Sequence, residues 1–546
     1  MSVKKKLLNT SLLNTSLLSV ILASLVTMGL SAQQPARRPT LIVGIVVDGL
    51  SLDQINLLRG HFGPDGFNRL LSRGITITDL DFGSALDPAA ASAVIYTGAA
   101  PSINGIDAKT KYDRTTRRPV STFHDGKTMG NFTTETLSPN AMRVSTIGDE
   151  LRISTGGLGH VYTIAPQSGQ ALAMSGHAAN SAFWINDING KWSTSTFYKV
   201  VPTPIMSSNH RNPIEFKLDT ITWSPLRNAS TYPDIPSYKK LSPFRHSFAR
   251  NDIDRYRRFM ASPMVNREVT AMAIDYIKSM NLGKSENFDM INLAYTLSPY
   301  TYGREVDSRM ELMDSYIRLD RELATLFKAI DHNGPGMNNT LLFLAGTPAS
   351  TTTRREEQRW SIQSGEFSPR RAISLLNVYL TALHGNGDWV TGFHDNKFYL
   401  NHDLIKKRGL ELKKVRSSAT ELLSQMEGIA EAFSIEDIIN GRAAETIAVP
   451  RRNVNISTAG DIYVSVIPGW QVIDDGTTIP HPTTYPMAQR FVAPIAPAFI
   501  LAPNIGASTI STPVDARALA PTISSILRIR APNAALLPPL RLNTRL

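Results

Sequence analysis

Apolar residues run unbroken from Thr40 to Val47 (TLIVGIVV), and most are β-branched. Such a run predicts a strand buried on both faces, as in a parallel sheet with helices on either side. It ends in Asp48-Gly49, and the carboxyl ends of strands are where open α/β sheets place ligand-binding groups. Phe288 to Leu297 (FDMINLAYTL) and Asn339 to Gly346 (NTLLFLAG) repeat the pattern, and Ala498 to Ala502 (AFILA) predicts a later strand. Between them lie helical periods. The clearest spans Val306 to Ile330, with Met310, Met313, Ile317, Leu319, Leu323, Leu326 and Ile330 on its apolar face.

Shorter helices are predicted over Gly66 to Ser72, from Val269, and over Asp515 to Leu527. Thr146 to Ile153 opens with Thr146 and Asp149 at capping-box spacing. Ser84 to Ala91 reads as a loop leading into Val94 to Gly98, and Ile106 to Glu135 as a polar surface excursion. Residues 158–250 alternate short strand-like runs with Ser, Thr, Pro and Asn, and read as an inserted, cap-like region. Alternating strand and helix gives an α/β class: an α/β/α sandwich with a large central, mostly parallel sheet and inserted cap-like segments.

The 546 residues, 42% hydrophobic, suffice for one large domain with insertions or for two. There is no cysteine, which excludes disulfides, thiolate metal sites and cysteine nucleophiles. Lys4, Lys5 and Lys6 precede an apolar stretch, Leu17 to Leu30, short of a membrane span. Residues 1–32 are expected to be a signal peptide cleaved after Ala32, with an uncleaved anchor as the alternative, and 33–546 the exported domain. The expected location is the periplasm or the outer membrane, with no transmembrane span after signal removal. Net charge is +11, and removing residues 1–32 leaves +8. The basic residues are scattered and form no stripe interleaved with aromatics, which argues against nucleic acid and for anionic partners in the cell envelope or simple solubility.

Several segments carry a resemblance in consistent order: IVGIVVDG at 42–49, GFNRLLSRGI at 66–75, IYTGAAPSINGI at 95–106, STIGDELRIST at 145–155, SGHAANSAFW at 175–184, MDSYIRLDRELA at 313–324 and LLFLAG at 341–346. Together they resemble the alkaline phosphatase superfamily, and within it the PafA-type phosphatases related to nucleotide pyrophosphatase/phosphodiesterases. The resemblance implies two zinc ions about 4 Å apart, held by carboxylates and imidazoles from several strand ends and activating an oxygen nucleophile.

Carried over position by position, the resemblance leaves little of that machinery. Asp48 matches the first metal-ligating aspartate. The nucleophile register falls on Pro88, which has no side-chain oxygen, and the phosphate-contacting asparagine register falls on Lys109. The cationic phosphate clamp aligns with Gln167 and Gly169. One ligand pair aligns with Pro299 and Gly303, a second with Thr347 and Pro348, and the last histidine falls near Ile495, with no histidine after Tyr485. Ser92, Thr97 and Asp87 are the oxygen-bearing residues near the lost nucleophile. Lys109 is a candidate to fill vacated metal space and pair with Asp48, and His177 and His481 read as structural and loop histidines.

The resulting expectation is a degenerate member: no catalytic residue, no cofactor, Asp48 as a relic ligand, and a role as scaffold or binding component with a protein partner in the envelope. The alternative is an active metal-dependent phosphomonoesterase or phosphodiesterase with a rebuilt site and bound zinc. A third reading is an anion- or glycan-binding protein that uses the old cleft.

Overall fold

The computed structural model describes residues 38–84, 86–302, 307–348, 351–353, 365–441, 451–467, 470–473, 487–489 and 495–542. The main strands in chain order are β1 (Leu41–Asp48), β2 (Ile75–Asp81), β3 (Thr110–Asp113), β4 (Arg118–Ser121), β5 (Gly130–Asn131), β6 (Val161–Ile164), β7 (Ser181–Ile185) and β8 (Trp192–Ser195). They continue with β9 (Asp289–Thr296), β10 (Thr340–Thr347), β11 (Val390–His394), β12 (Lys397–Leu400), β13 (Ile429–Ser434), β14 (Ile462–Val466), β15 (Ile495–Leu501) and β16 (Ser508–Ile510). The helices used below are α1 (Phe67–Arg73), α2 (Pro88–Thr97), α3 (Ile147–Ser154), α4 (Ser168–Ser175), α5 (Met264–Ser279), α6 (Arg309–Asn333), α7 (Pro369–His384), α8 (His402–Lys407), α9 (Leu412–Ser424) and α10 (Leu519–Leu527).

An eleven-stranded sheet organises the chain, in the order β16-β2-β15-β10-β1-β9-β6-β7-β8-β5, with Val514–Asp515 also pairing β2. Its centre, β10 to β7, is parallel. The flanking β15 and β8 run antiparallel to their neighbours. The fold is thus the mixed α/β sandwich with a mostly parallel sheet that the sequence predicts. β1 shows why its sequence is apolar throughout. Leu41, Val43, Ile45 and Val47 pack into one core with α5 and α6. Ile42 and Val46 pack into a second core on the opposite face, with α2, α3, α4 and α10. Gly44 makes room on that second face: a Cβ there would lie 2.3 Å from the Tyr96 hydroxyl.

Two expectations change. Ser84 to Ala91 is not a loop throughout, because α2 begins at Pro88 with Asp87 as its N-cap, and proline at the first helical position gives up an amide the helix does not need. Residues 158–250 are not a cap either. β6, β7 and β8 extend the central sheet, and the short helices after them add Ile205, Ile214 and Leu218 to the first core. Strands of four or five residues between Ser- and Asn-rich turns look superficial in sequence, yet here they are buried on both faces.

The cap-like body lies later in the chain. A four-stranded sheet, β11-β12-β14-β13, carries α7 and α9 on one face over a core of its own, including Leu376, Leu380, Trp389, Phe398, Val415 and Ile462. Residues 1–37, Gly303, Val306, His481 and residues 354–364 fall outside the described residues.

Candidate functional site

Parallel register brings three strand ends together. Asp48 at the end of β1 sits opposite Thr296 of β9 and Thr347 of β10. Asp48 is 4% exposed. Its Oδ1 accepts from the Gln170 amide at 3.0 Å and from the Thr347 hydroxyl at 3.2 Å. Burial, helped by the nearby Asp87 carboxylate, pushes the Asp48 carboxyl up to about 7, although Thr347, Gln170 and, more distantly, Lys109 favour its charged form. Among the described residues no cation offsets the loss of water. Lys109 is exposed and forms no ion pair with Asp48 among the described residues, so the pairing considered from sequence does not occur.

Lys109 engages a different carboxylate. The half-buried Asp87 accepts from the amide of Ala90 at 2.9 Å, capping α2, and from the amide of Lys109. Burial raises the Asp87 carboxyl above its ordinary range, and these amide donors and the Lys109 ammonium only partly offset that. Pro88 begins the helix. The other nearby oxygens are bound into it: the Ser92 hydroxyl donates to the Pro88 carbonyl and that of Thr97 to the Ala93 carbonyl, each at 2.6 Å. A hydroxyl spent on a helix carbonyl, with no base beside it, is a poor nucleophile.

Above Pro88 lies an open pocket of about 130 Å³, lined by Pro88, Ala89, Lys109, Thr110, Ser121, Glu135, Gln167, Ser168 and Gly169. Pro88, Lys109, Gln167 and Gly169 therefore share one surface. Gly169 closes α4 onto α2: a Cβ there would lie 3.1 Å from that of Ala89 and 3.5 Å from that of Lys109. Gln170, three residues after Gln167, turns the other way and reaches Asp48. Sequence inspection missed it, since a lone glutamine in an apolar helix carries no spacing signal. Thr347, read only as a lost ligand, is its counterpart on β10. Pro299 lies in the loop after β9 and Pro348 is buried just past Thr347; neither lines the pocket.

These residues do not fit a two-zinc centre. Such a centre needs several carboxylate and imidazole donors converging on each ion. Here one carboxylate meets an amide donor and a hydroxyl donor. Among the described residues no group of three or more His, Asp or Glu side chains is arranged to hold a metal ion. His177, in the SGHAAN segment, lies 3.1 Å from the Met142 carbonyl and 3.8 Å from the Asp149 carboxylate, which raises its basicity.

One wall of the pocket is tied to the cap. Thr110 Oγ1, on β3, lies 3.1 Å from His394 Nε2 at the end of β11. Tyr112 stacks on Tyr399 with ring centroids 4.2 Å apart and donates to the Thr391 carbonyl at 2.6 Å. Arg114 reaches Asp461 with two nitrogens, each at 3.1 Å, and Arg117 pairs with Asp388 at 2.8 Å. Asp461 is fully buried and also meets His402 at 2.7 Å and Arg416 at 2.6 Å. Burial alone would raise the Asp461 carboxyl, but His402 and the two guanidiniums hold it down at about 2.

Comparison with known proteins supports the same family. Residues 42–485 match the type I phosphodiesterase / nucleotide pyrophosphatase family. The chain is 26% identical over 540 residues to alkaline phosphatase PhoV of Synechococcus elongatus, covering 92% of each protein. It is 24% identical over 530 residues to alkaline phosphatase PafA of Elizabethkingia meningoseptica, covering 93% of this chain and 95% of that one. The crystal structure of wild-type alkaline phosphatase PafA superposes with a TM-score of 0.80 over 92% of this chain and 98% of that one, at 23% identity, which is a likeness of fold.

Proposed function

The chain belongs to the type I phosphodiesterase / nucleotide pyrophosphatase family, and from that premise we propose that it is a non-catalytic member, exported to the periplasm or outer membrane, that serves as a scaffold or binding component with a protein partner in the cell envelope. One observation carries the reading: Asp48 is held by two neutral donors, Gln170 and Thr347, where a metalloenzyme would set a cation. Gln170 and Thr347 bring hydrogen-bond donors to the carboxylate, whereas a zinc centre needs further carboxylate or imidazole ligands beside it. Pro88 supplies no attacking oxygen, and the neighbouring hydroxyls are committed to helix carbonyls. The open pocket beside Lys109 and Ser168 suits capture of a small polar ligand better than its turnover.

Metal analysis and turnover assays on the purified full chain test this reading. The expected result is substoichiometric zinc and no chelator-sensitive hydrolysis of an aryl phosphate monoester or diester. Two zinc ions per chain with chelator-sensitive hydrolysis would overturn it in favour of an active phosphatase or phosphodiesterase with a rebuilt site. N-terminal sequencing of material recovered from the envelope tests export, with a mature start at Gln33 expected.

A further inference from the structure

The sequence holds five Asn-Gly pairs, at Asn104, Asn189, Asn333, Asn386 and Asn440. Asparagine before glycine is especially open to ring closure, because no side chain shields the glycine amide and its backbone turns freely. The fold treats the five unequally. In four, the glycine amide donates to a backbone carbonyl: Gly105 to Pro101 at 2.9 Å, Gly190 to Asn186 at 2.9 Å, Gly334 to Ile330 at 3.1 Å and Gly441 to Ile438 at 3.2 Å. Asn104 and Asn189 are also held at both ends of their side-chain amides.

Asn386-Gly387 lies in the turn between α7 and β11, outside any helix or strand. Among the described residues, neither the Gly387 amide nor the Asn386 side chain forms a hydrogen bond. Asn386 is exposed and stands between two glycines, the first of which has a φ of +87°. A cation sits on its main chain. Arg408, just after α8, donates from Nη2 to the Asn386 carbonyl at 2.7 Å.

We propose that Asn386-Gly387 is a self-modifying site that converts to isoaspartate through a cyclic imide, with Arg408 directing the product. Hydroxide takes the proton of the Gly387 amide. The nitrogen attacks the carbonyl carbon of the Asn386 side chain, and ammonia leaves as the ring closes. Water then adds to one of the two ring carbonyls and breaks its bond to the glycine nitrogen. Opening at the side-chain carbonyl gives aspartate. Opening at the main-chain carbonyl gives isoaspartate, in which the chain runs through the former side chain. The main-chain carbonyl is the one Arg408 holds. The guanidinium draws electrons from it as water attacks and pairs with the carboxylate that results. The net reaction consumes water, releases ammonium and leaves a carboxylate in place of the amide. It also adds a methylene to the main chain just before Asp388. The pair of Asp388 with Arg117, at 2.8 Å, joins this turn to the β3–β4 hairpin, which gives Thr110 and Ser121 to the pocket.

The test is storage of the purified full chain at pH 8, followed by peptide mapping with mass spectrometry and isoaspartyl methyltransferase labelling. The peptide spanning 386–387 is expected to exchange amide for acid at least about tenfold faster than the other four pairs, whose glycine amides are freed only by local opening. In the urea-unfolded chain all five are expected to react at similar rates. Asn386→Gln, whose longer side chain closes a larger ring, is expected to abolish the change at that peptide with the thermal midpoint unaltered. Arg408→Gln is expected to lower the ratio of isoaspartate to aspartate at least about twofold. The proposal is overturned if another pair reacts first in the folded chain, or if 386–387 stays intact there while the unfolded chain reacts. An unchanged product ratio in Arg408→Gln overturns the role of Arg408.

Discussion

Gln170 on α4 donates its side-chain amide to Asp48 at the end of β1, across 3.0 Å of buried space between a helix and the sheet it covers. The pair joins α4 to the carboxyl end of β1 through a hydrogen bond from a neutral amide to a buried carboxyl group. The chemistry of this site is therefore one of proton occupancy, and its consequences can be measured.

The Asp48 carboxyl lies at about 7 in the folded protein, against 3.8 for a free side chain. The folded state retains a proton that the unfolded chain releases, so the stabilising contribution is complete below about pH 4 and disappears as pH rises through 7. Three pH units correspond to a loss on the order of 4 kcal/mol. Asp48→Asn keeps an oxygen for Gln170 and Thr347 and carries no charge. In urea titrations the variant should exceed the parent in stability at pH 8, with the difference shrinking toward pH 4.5. A variant less stable at pH 8 would contradict this account.

Thr347→Val removes the other donor to Asp48 Oδ1 with little change in shape. A hydrogen bond to a charged acceptor contributes about 1.5–3 kcal/mol, and one to a neutral acceptor about 0.5–1.5 kcal/mol. The cost of the substitution should therefore grow from pH 5 to pH 8. In the Asp48→Asn background Thr347→Val should cost less at pH 8 than it does in the parent, since the residues touch and the acceptor is then neutral. Additive behaviour at pH 8 would show that the hydroxyl works elsewhere.

These two residues mark how far the sequence could be read. β1, β9 and β10 were legible because strands buried on both faces are apolar throughout, and Asp48 because it ends the first of them. Pro88, Lys109, Gln167 and Gly169, singled out one by one in the sequence, line one pocket, a proximity that no spacing between them announces. Gln170 was not, because its partner is distant in sequence and its type has no metal or acid-base signature. The start of α2 carried a readable signal, Asp87 followed by Pro88, but the alanines after it suppressed the helical period. The cap escaped because strands such as Lys397–Leu400 are short and mix lysine with tyrosine, a pattern that only a partner surface explains.

At the mouth of the pocket, Asp87→Ala removes the cap of α2 and the acceptor of the Lys109 amide together. Loss of an N-cap costs about 0.5–2 kcal/mol, and thermal denaturation should fall accordingly. Pro88→Thr, by contrast, should fold normally and remain inactive on aryl phosphates, because a hydroxyl at that position still lacks an activating group. Recovery of hydrolysis in that single variant would show that the remaining machinery is intact.

Asp461 gives the opposite pH response to Asp48. Its carboxyl is held at about 2, so its contribution is present above the ordinary value of 3.8 and fades as pH falls from there toward 2. Asp461→Ala leaves Arg114 and Arg416 without their shared acceptor, and should cost about 3–5 kcal/mol at neutral pH. Limited proteolysis should then cut faster than in the parent within the exposed β3–β4 turn near Arg117.

The contacts of β3 with the cap have a mechanical consequence. Stacked tyrosines, a doubly held guanidinium and a threonine beside a histidine make the pocket's wall and the cap a single rigid piece. The lining itself comes from β3, β4 and the starts of α2 and α4 rather than from the cap, and the closest approach of those two helices is set by Gly169 meeting Ala89, so the depth of the pocket is governed by the smallest side chains on its floor.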